Sequence, residues 1–168
     1  MEVQADSLTR DGRFHVMIAE DRPYAAEHWT SQLPRLLEPQ GVISYVVRTG
    51  RQAIHLAEQF ELHAAVIDMA TPLDEDGALA GAGAGEPAET WLIELFRRLP
   101  NRPPLVIVHA ADYSQRKLDR LLHQALKIGA FSVLNKPVEL EMILSVFQRL
   151  VERQYGGAWP GRRESQEN

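Results

Sequence analysis

The 168-residue sequence contains no cysteine, which excludes disulfide bonds, thiol nucleophiles and thiolate metal sites. It also has no basic excess. The formal net charge is -5, so the composition offers little to neutralise nucleic-acid phosphates or anionic lipids. No apolar run is long enough to span a bilayer, and the first residues lack the basic and apolar segments of a secretion signal. These absences favour a cytoplasmic protein that binds neither nucleic acid nor a membrane.

Short apolar segments alternate along the chain with amphipathic ones. The apolar segments are continuous rather than alternating, which is typical of parallel strands buried on both faces; they cover 14–19, 42–47, 64–68, 105–110 and 131–135. Helical patterns begin near Tyr24 and then cover 51–60, 91–99, 114–129 and about 138–153. The alternation predicts a doubly wound α/β fold, with a five-stranded parallel sheet flanked by five helices.

Several residues predict where these helices begin and end. Thr49 and Gln52 have the spacing of a capping box at the start of the second helix. Gly129 is suited to a left-handed cap at the end of the fourth helix. Pro34 falls within the first helical pattern, where a missing N–H and a steric clash are unfavourable. We therefore expect a break or a shifted helix start near Pro34.

The chain is predicted to form one domain over 13–154, with flexible tails at 1–12 and 155–168. A Gly/Ala-rich run at about 73–88 lies inside this domain. It resembles GxGxG, but it neither follows the first strand nor opens a phosphate-binding helix, so it does not indicate a nucleotide site. A flexible acidic surface insertion is the better interpretation.

Polar side chains follow four of the predicted strands. Glu20 and Asp21 come after the first strand, Asp68 ends the third, His109 lies at the end of the fourth and Lys136 follows the fifth. In an open α/β sheet the functional crevice lies outside the carboxyl ends of the strands, so we expect these side chains to converge there.

Each of these residues also has a simpler explanation when it is considered alone. Glu20 and Asp21 suit a helix N-terminus, because acids there favour the helix dipole. Asp68 could be a turn residue, and an isolated Lys136 would usually be a solvated surface lysine. Their joint placement at one edge of the sheet favours a functional site.

Four motifs carry a family resemblance, namely VMIAED (16–21), AAVIDMATP (64–72), LVIVHAAD (105–112) and GAFSVLNKP (129–137). In this order and spacing they resemble the signature regions of response-regulator receiver domains, the CheY-like phosphoacceptor modules of two-component signalling. The resemblance covers roughly residues 14 to 153. It implies a flavodoxin-like, CheY-like arrangement of the predicted sheet and helices.

The resemblance also implies a role for each site residue. Asp68 would be the phosphoacceptor, and Lys136 would stabilise charge on the phosphoryl group. Mg²⁺ would be ligated by Asp21, Asp68 and the backbone carbonyl of Ala70, with Glu20 acting through water. Clustered carboxylates suit this choice, because they repel one another and a hard divalent cation prefers oxygen ligands. Before Pro137, the family often has a cis peptide bond.

Two positions depart from the family pattern. His109 stands where the family has Ser or Thr, and either a phosphate contact or no phosphate role is compatible with imidazole there. Val133 stands at the switch position, which is usually aromatic, and Phe131 lies on the same strand face by parity. The remaining histidines lack metal-protease spacing and are expected at the core edge or the surface: His15, His28, His55, His63 and His123.

The resulting hypothesis is a single-domain response regulator, a phosphoprotein that is not an enzyme beyond self-catalysed phosphotransfer to Asp68. Its expected partners are a histidine kinase or phosphotransfer protein, and a downstream protein bound through the fourth helix, fifth strand and fifth helix; homodimerisation is a further option. The alternative is a degenerate receiver that acts as a phosphorylation-independent interaction module.

Two other protein classes with a similar sheet are disfavoured. A haloacid-dehalogenase-type phosphatase is disfavoured because Asp68-Met69-Ala70 lacks a second Asp. A flavodoxin is disfavoured because Glu20 and Asp21 would repel the flavin phosphate.

Overall fold

The computed structural model describes residues 12–20, 28–75, 91, 92, 95, 98, 99 and 102–157. The strands are β1 (Phe14–Ala19), β2 (Val42–Val47), β3 (Ala64–Asp68), β4 (Leu105–His109) and β5 (Ser132–Asn135). The bounded helices are α1 (Trp29–Leu37), α2 (Gly50–Gln59), α3 (Gln115–Ile128) and α4 (Leu140–Tyr155), with a 3-10 turn at Glu38–Gln40. Helical residues also occur within the predicted third helix, at Trp91, Leu92, Leu95 and Arg98. The predicted fourth and fifth helices are therefore α3 and α4.

All five strands form one parallel sheet in the order β2-β1-β3-β4-β5. β2 lies on one side of β1, and β3, β4 and β5 follow in order on the other side. This reversal of direction at β1 is the doubly wound topology predicted from the sequence. The carboxyl ends of the strands are in register: Asp68 pairs with Val108, and His109 pairs with Asn135. The sheet therefore brings the residues that follow β1, β3 and β5 to one edge.

Two apolar layers cover the sheet, as expected for strands buried on both faces. On one face Met17, Ile67 and Ile107 pack with Trp91 and with α3 through Leu121. On the other face Val66 and Val108 pack with α1 through Leu33 and with α4 through Ile143. Side chains alternate between the two layers because successive strand residues point to opposite faces. Asp68 follows the parity of Val66, toward α1.

The predicted caps are present. Thr49 Oγ1 accepts a hydrogen bond from the Gln52 N–H at 3.1 Å, and Gln52 Oε1 accepts from the Arg48 N–H at 2.8 Å. The reciprocal bond of this capping box thus goes to the residue before the N-cap. Gly129 has φ 70° and ends α3, where the absence of a Cβ removes the steric cost of the left-handed conformation.

A break or a shifted helix start was predicted near Pro34, and the break was wrong, whereas the start of α1 does lie five residues after Tyr24. Helix α1 begins at Trp29 and continues through Pro34 to Leu37, and the Glu38 N–H donates to the Pro34 carbonyl. Pro34 removes one backbone donor, but Trp29 and Leu33 on the same helix are buried against the sheet. Their burial stabilises the helix in spite of the proline, because tertiary packing supplies most helical stability in proteins.

Helix α4 ends at Tyr155, two residues beyond the predicted limit. The Tyr155 hydroxyl donates to the His63 carbonyl at 2.6 Å, and its ring meets Phe14 edge to face at 5.3 Å. The 13–154 domain limits, the tails and the insertion stay predictions, since most of 1–12, 73–88 and 155–168 lies outside the described residues. Within the described part of the chain, no helix is long and apolar enough to cross a membrane.

Candidate functional site

Asp68 is the last residue of β3, and its carboxylate is almost fully buried, with 6% of the residue exposed. Oδ1 accepts a hydrogen bond from the Ala70 N–H at 3.0 Å. Oδ2 forms an ion pair with Lys136 Nζ at 2.6 Å. Each carboxylate oxygen thus has one donor, and the turn that follows β3 supplies the donor for Oδ1.

Lys136 reaches Asp68 from the far side of β4. Its backbone N–H donates to the His109 carbonyl at 2.9 Å, which continues the pairing between β4 and β5 beyond the end of the strand. The Lys136–Pro137 peptide bond is cis, as the resemblance suggested. About a third of the Lys136 side chain is exposed, so its ammonium bridges the buried carboxylate and the solvent.

A cavity of about 420 Å³ opens over this ion pair. Its lining includes Glu20, His28, Thr30, Asp68, Ala111 and Lys136. Glu20 is 7% exposed and follows β1, where its N–H donates to the Val47 carbonyl of β2 at 3.0 Å. The structure therefore brings together three of the predicted site residues, from three different strand ends, around one space.

The donor chemistry of this cavity fits a hard divalent cation. Two carboxylates from separate strands, those of Glu20 and Asp68, border the same space as the ammonium of Lys136. Ala70, whose carbonyl the resemblance implicates, lies two residues after Asp68 and is exposed. Asp21, the other predicted ligand, lies outside the described residues. Within the described ranges no three His, Asp or Glu side chains form a metal-binding group.

His109 ends β4, as predicted, but it is not among the described residues that line the cavity. Its Nδ1 lies 2.9 Å from the Ala110 carbonyl, and a carbonyl can only accept, so Nδ1 carries a proton. The ring packs against Tyr113 with centroids 5.1 Å apart, and Lys117 Nζ lies 4.0 Å from the Tyr113 ring centroid. His109 is therefore directed toward the start of α3 by its own contacts.

The expectation that Phe131 shares a strand face with Val133 was wrong. Val133 packs with the layer that contains Ile107 and Leu121, whereas Phe131 packs with the layer that contains Ile143. The physical reason is that β5 begins at Ser132, so strand alternation does not extend to Phe131. Both side chains are half-buried.

His28 is the site residue that the sequence analysis missed, since it was expected at the core edge or the surface. It is the N-cap of α1 and lines the same cavity as Asp68 and Lys136. Burial lowers the pKa of His28, the positive charge of Lys136 lowers it further, and Asp68 acts in the opposite direction. No motif marks His28, because its position depends on where α1 begins relative to β3.

Comparison with known proteins bears on the fold. No protein-family profile matches the sequence, and no curated protein matches it. Solved structures do match. A response regulator from Burkholderia pseudomallei, with a phosphorylated aspartic acid, a calcium ion and citrate, is 19% identical and has a TM-score of 0.56. That match covers 85% of this chain and 72% of the other.

Two further structures are receiver domains. The receiver domain of a Pseudomonas aeruginosa sensor histidine kinase, with magnesium in its active-site cleft, is 21% identical, with a TM-score of 0.55 over 83% of this chain and 98% of the other. The signal receiver domain of an HD domain-containing protein from Pseudomonas fluorescens is 16% identical, with a TM-score of 0.61 over 86% and 98%. The fold of this chain is thus that of response-regulator receiver domains, as the motifs predicted.

Proposed function

We propose that this chain is a response-regulator receiver that accepts a phosphoryl group on Asp68. The observation that carries the proposal is the 2.6 Å ion pair between Lys136 Nζ and the buried Asp68 carboxylate, at the floor of a cavity bordered by Glu20. Neither a turn residue nor a solvated lysine requires such an arrangement. The similarity to solved receiver domains also supports it.

The reaction is transfer of a phosphoryl group to a carboxylate. A carboxylate oxygen of Asp68 attacks phosphorus, the phosphorus–nitrogen bond of a donor phosphohistidine breaks, and the donor imidazole leaves with the electron pair and takes up a proton. The product is an acyl phosphate on Asp68. Lys136 stabilises negative charge on the phosphoryl oxygens, so catalysis depends on positioning and electrostatics. The protein then acts as the substrate of its own phosphorylation rather than as a turnover enzyme.

Mg²⁺ is the proposed cofactor. Asp21, Asp68 and the Ala70 carbonyl would hold it, and Glu20 would act through a water. When bound it would neutralise charge on the phosphoryl oxygens, complementing Lys136. The two buried carboxylates that border the cavity support this choice, because a divalent cation relieves their mutual repulsion.

The proposed partners are a histidine kinase or phosphotransfer protein as donor and a downstream protein as receptor, in the cytoplasm. The surface formed by α3, β5 and α4 is the proposed output surface, through which the chain could also homodimerise. Its exposed apolar residues support that assignment: Leu122, Leu126 and Met142 are 40%, 81% and 42% exposed. Leu122 and Leu126 are four residues apart on α3 and so lie on one side of that helix, and contiguous exposed apolar surface commonly marks protein–protein contacts.

Incubation with acetyl phosphate and Mg²⁺, followed by intact mass spectrometry, tests the proposal. We expect one phosphoryl adduct on the wild type, no adduct on Asp68→Asn and a strongly reduced adduct when EDTA replaces Mg²⁺. Asp68→Asn keeps the side-chain volume and an acceptor for the Ala70 N–H, so it is a matched control. An adduct that survives Asp68→Asn would refute the site.

The same experiment separates the alternative function. A wild-type chain that acquires no adduct, under conditions in which a control receiver is labelled, would instead support a phosphorylation-independent interaction module. One observation favours this alternative. His109 stands at the position where the family has Ser or Thr, but it does not line the cavity, because its ring contacts the Ala110 carbonyl.

A further inference from the structure

His28 lines the cavity in which the proposed phosphoryl group would lie. It borders the cavity over Asp68 and Lys136, whereas His109, at the position that supplies a hydroxyl in similar proteins, does not. The chain thus has an imidazole at the proposed phosphorylation site, but it comes from the start of α1 rather than from the end of β4.

The contacts of His28 define its tautomer. Nδ1 accepts the Thr30 N–H at 3.4 Å, and it lies 2.9 Å from Thr30 Oγ1. A backbone N–H can only donate, so Nδ1 is unprotonated and the ring proton is on Nε2. Thr30 is 4% exposed, so this contact is shielded from solvent. The N-cap bond therefore holds the ring with an N–H donor on the opposite nitrogen.

The electrostatic surroundings favour the neutral form of this imidazole. Its pKa is lowered by burial and by Lys136, and Asp68 opposes only part of that effect. A neutral ring with a proton on Nε2 can donate a hydrogen bond, but it has no lone pair on Nε2 with which to accept a proton from water. The geometry thus favours a donor and disfavours a general base.

We propose that His28 binds the phosphoryl group at Asp68, donating the Nε2–H to one of its oxygens and replacing the hydroxyl that position 109 lacks. This inference rests on the proposed function. His28 would stabilise the transition state of phosphoryl transfer, in which negative charge is spread over the equatorial oxygens.

A donor at that position affects two reactions in the same direction. In phosphorylation by acetyl phosphate, an Asp68 oxygen attacks phosphorus and acetate leaves with the electron pair of the broken phosphorus–oxygen bond. In hydrolysis, water attacks phosphorus, the Asp68–phosphorus bond breaks, and the water protons end on phosphate or solvent. Both transition states place charge on the same oxygens, so the donor accelerates both.

A general base would act differently. Phosphorylation by acetyl phosphate removes no proton from the attacking carboxylate, so a base accelerates only the hydrolysis step. The comparison of the two rates therefore separates a phosphoryl-binding role from a base role. A purely structural role would change the stability of α1 and leave both rates unchanged.

The test uses the full chain with acetyl phosphate and Mg²⁺, measuring the rate of adduct formation and the rate of adduct loss after the donor is removed. His28→Asn keeps an oxygen that can cap the Thr30 N–H but is too short to replace Nε2. We expect both rates to fall about tenfold, which is the size of effect that a single hydrogen bond to a charged group gives. His28→Gln, which extends an amide donor into the cavity, should recover most of both rates. His55→Asn, an exposed histidine on α2, should leave both rates unchanged.

Each other outcome overturns the inference. Unchanged rates in His28→Asn, or a fall in hydrolysis alone, would show that His28 is not a phosphoryl donor. A ring nitrogen NMR spectrum of the unphosphorylated protein should show the Nε2–H tautomer of His28, and a proton on Nδ1 would contradict it independently of labelling. A wild type that is never labelled would overturn the proposed function as well, whereas labelling with unaffected His28 variants would overturn this inference alone.

Discussion

The contact between Gly50 and Trp91 offers a sharp test of how the loop after Asp68 is built. A Cβ at Gly50 would lie 2.6 Å from both Cγ and Cδ2 of Trp91. Trp91 is 1% exposed, and its Nε1–H donates to the Thr71 carbonyl at 3.0 Å. The Gly50 N–H donates to the Pro72 carbonyl at 2.7 Å. The ring is therefore held between α2 and the segment that follows β3.

We predict that Gly50→Ala destabilises the protein by about 2 kcal/mol. Carbon atoms pack at roughly 3.5–4.0 Å, so the ring must move by about 1 Å in a filled core, and overpacking of this kind costs about 1–3 kcal/mol. The helix propensity of Ala offsets at most about 1 kcal/mol of that cost. For a chain of this length, the corresponding fall in Tm is roughly 4–8 °C.

Urea unfolding measures this change, with Gly129→Ala as the control. Gly129 has φ 70° and nothing within 4 Å of its Cβ position, so its substitution adds only left-handed backbone strain, about 1–2 kcal/mol. Trp91→Leu should reduce the cost of Gly50→Ala, since the two positions are in contact. If Gly50→Ala is as stable as the wild type, or costs the same in the Trp91→Leu background, the steric argument is refuted.

Two further predictions concern the opposite end of the sheet. His63→Ala should lower the free energy of unfolding by about 1–3 kcal/mol in urea, because His63 Nδ1 accepts the buried His15 N–H at 2.8 Å. His63→Asn should lower it less, and equal losses of stability in the two variants would contradict this prediction. Burial, reinforced by Glu61, raises the pKa of Tyr155 to about 12 from 10.0. The folded state holds this proton more tightly, so its stabilisation is complete below pH 10 and is lost as pH rises toward about 12. Tyr155→Phe should therefore lose less stability than the wild type over that range, and identical pH profiles would disprove the assignment.

The sheet was predictable from the sequence because its signal is local. The central strands β1, β3 and β4 are short, largely apolar runs that are buried throughout, whereas the edge strands β2 and β5 are only partly buried. The observed bounds of β1, β2 and β3 equal the predicted ones, while β4 and β5 are one residue shorter. Thr49 and Gly129 similarly marked helix ends through hydrogen bonds and backbone angles within a few residues.

The predictions that failed depend on contacts between distant segments. Pro34 is tolerated because Trp29 and Leu33 are buried beneath α1, and a local propensity rule cannot include that packing. Phe131 and Val133 lie in different layers because β5 begins one residue after Phe131. Parity arguments hold only inside a strand, so a residue that precedes the first strand residue need not lie on the predicted face.

Some residues of the candidate site were likewise predictable from the sequence, and others were not. The sequence by itself determined that Glu20, Asp68 and Lys136 end or follow parallel strands, and parallel strands necessarily present their carboxyl ends at one edge. Only the tertiary structure decided which neighbouring side chains enter the cavity. His109 is held away by the Ala110 carbonyl and Tyr113, while His28 is brought in by the start of α1. Strand ends are set by local pattern, whereas the approach of a helix to them is set by packing across the sheet.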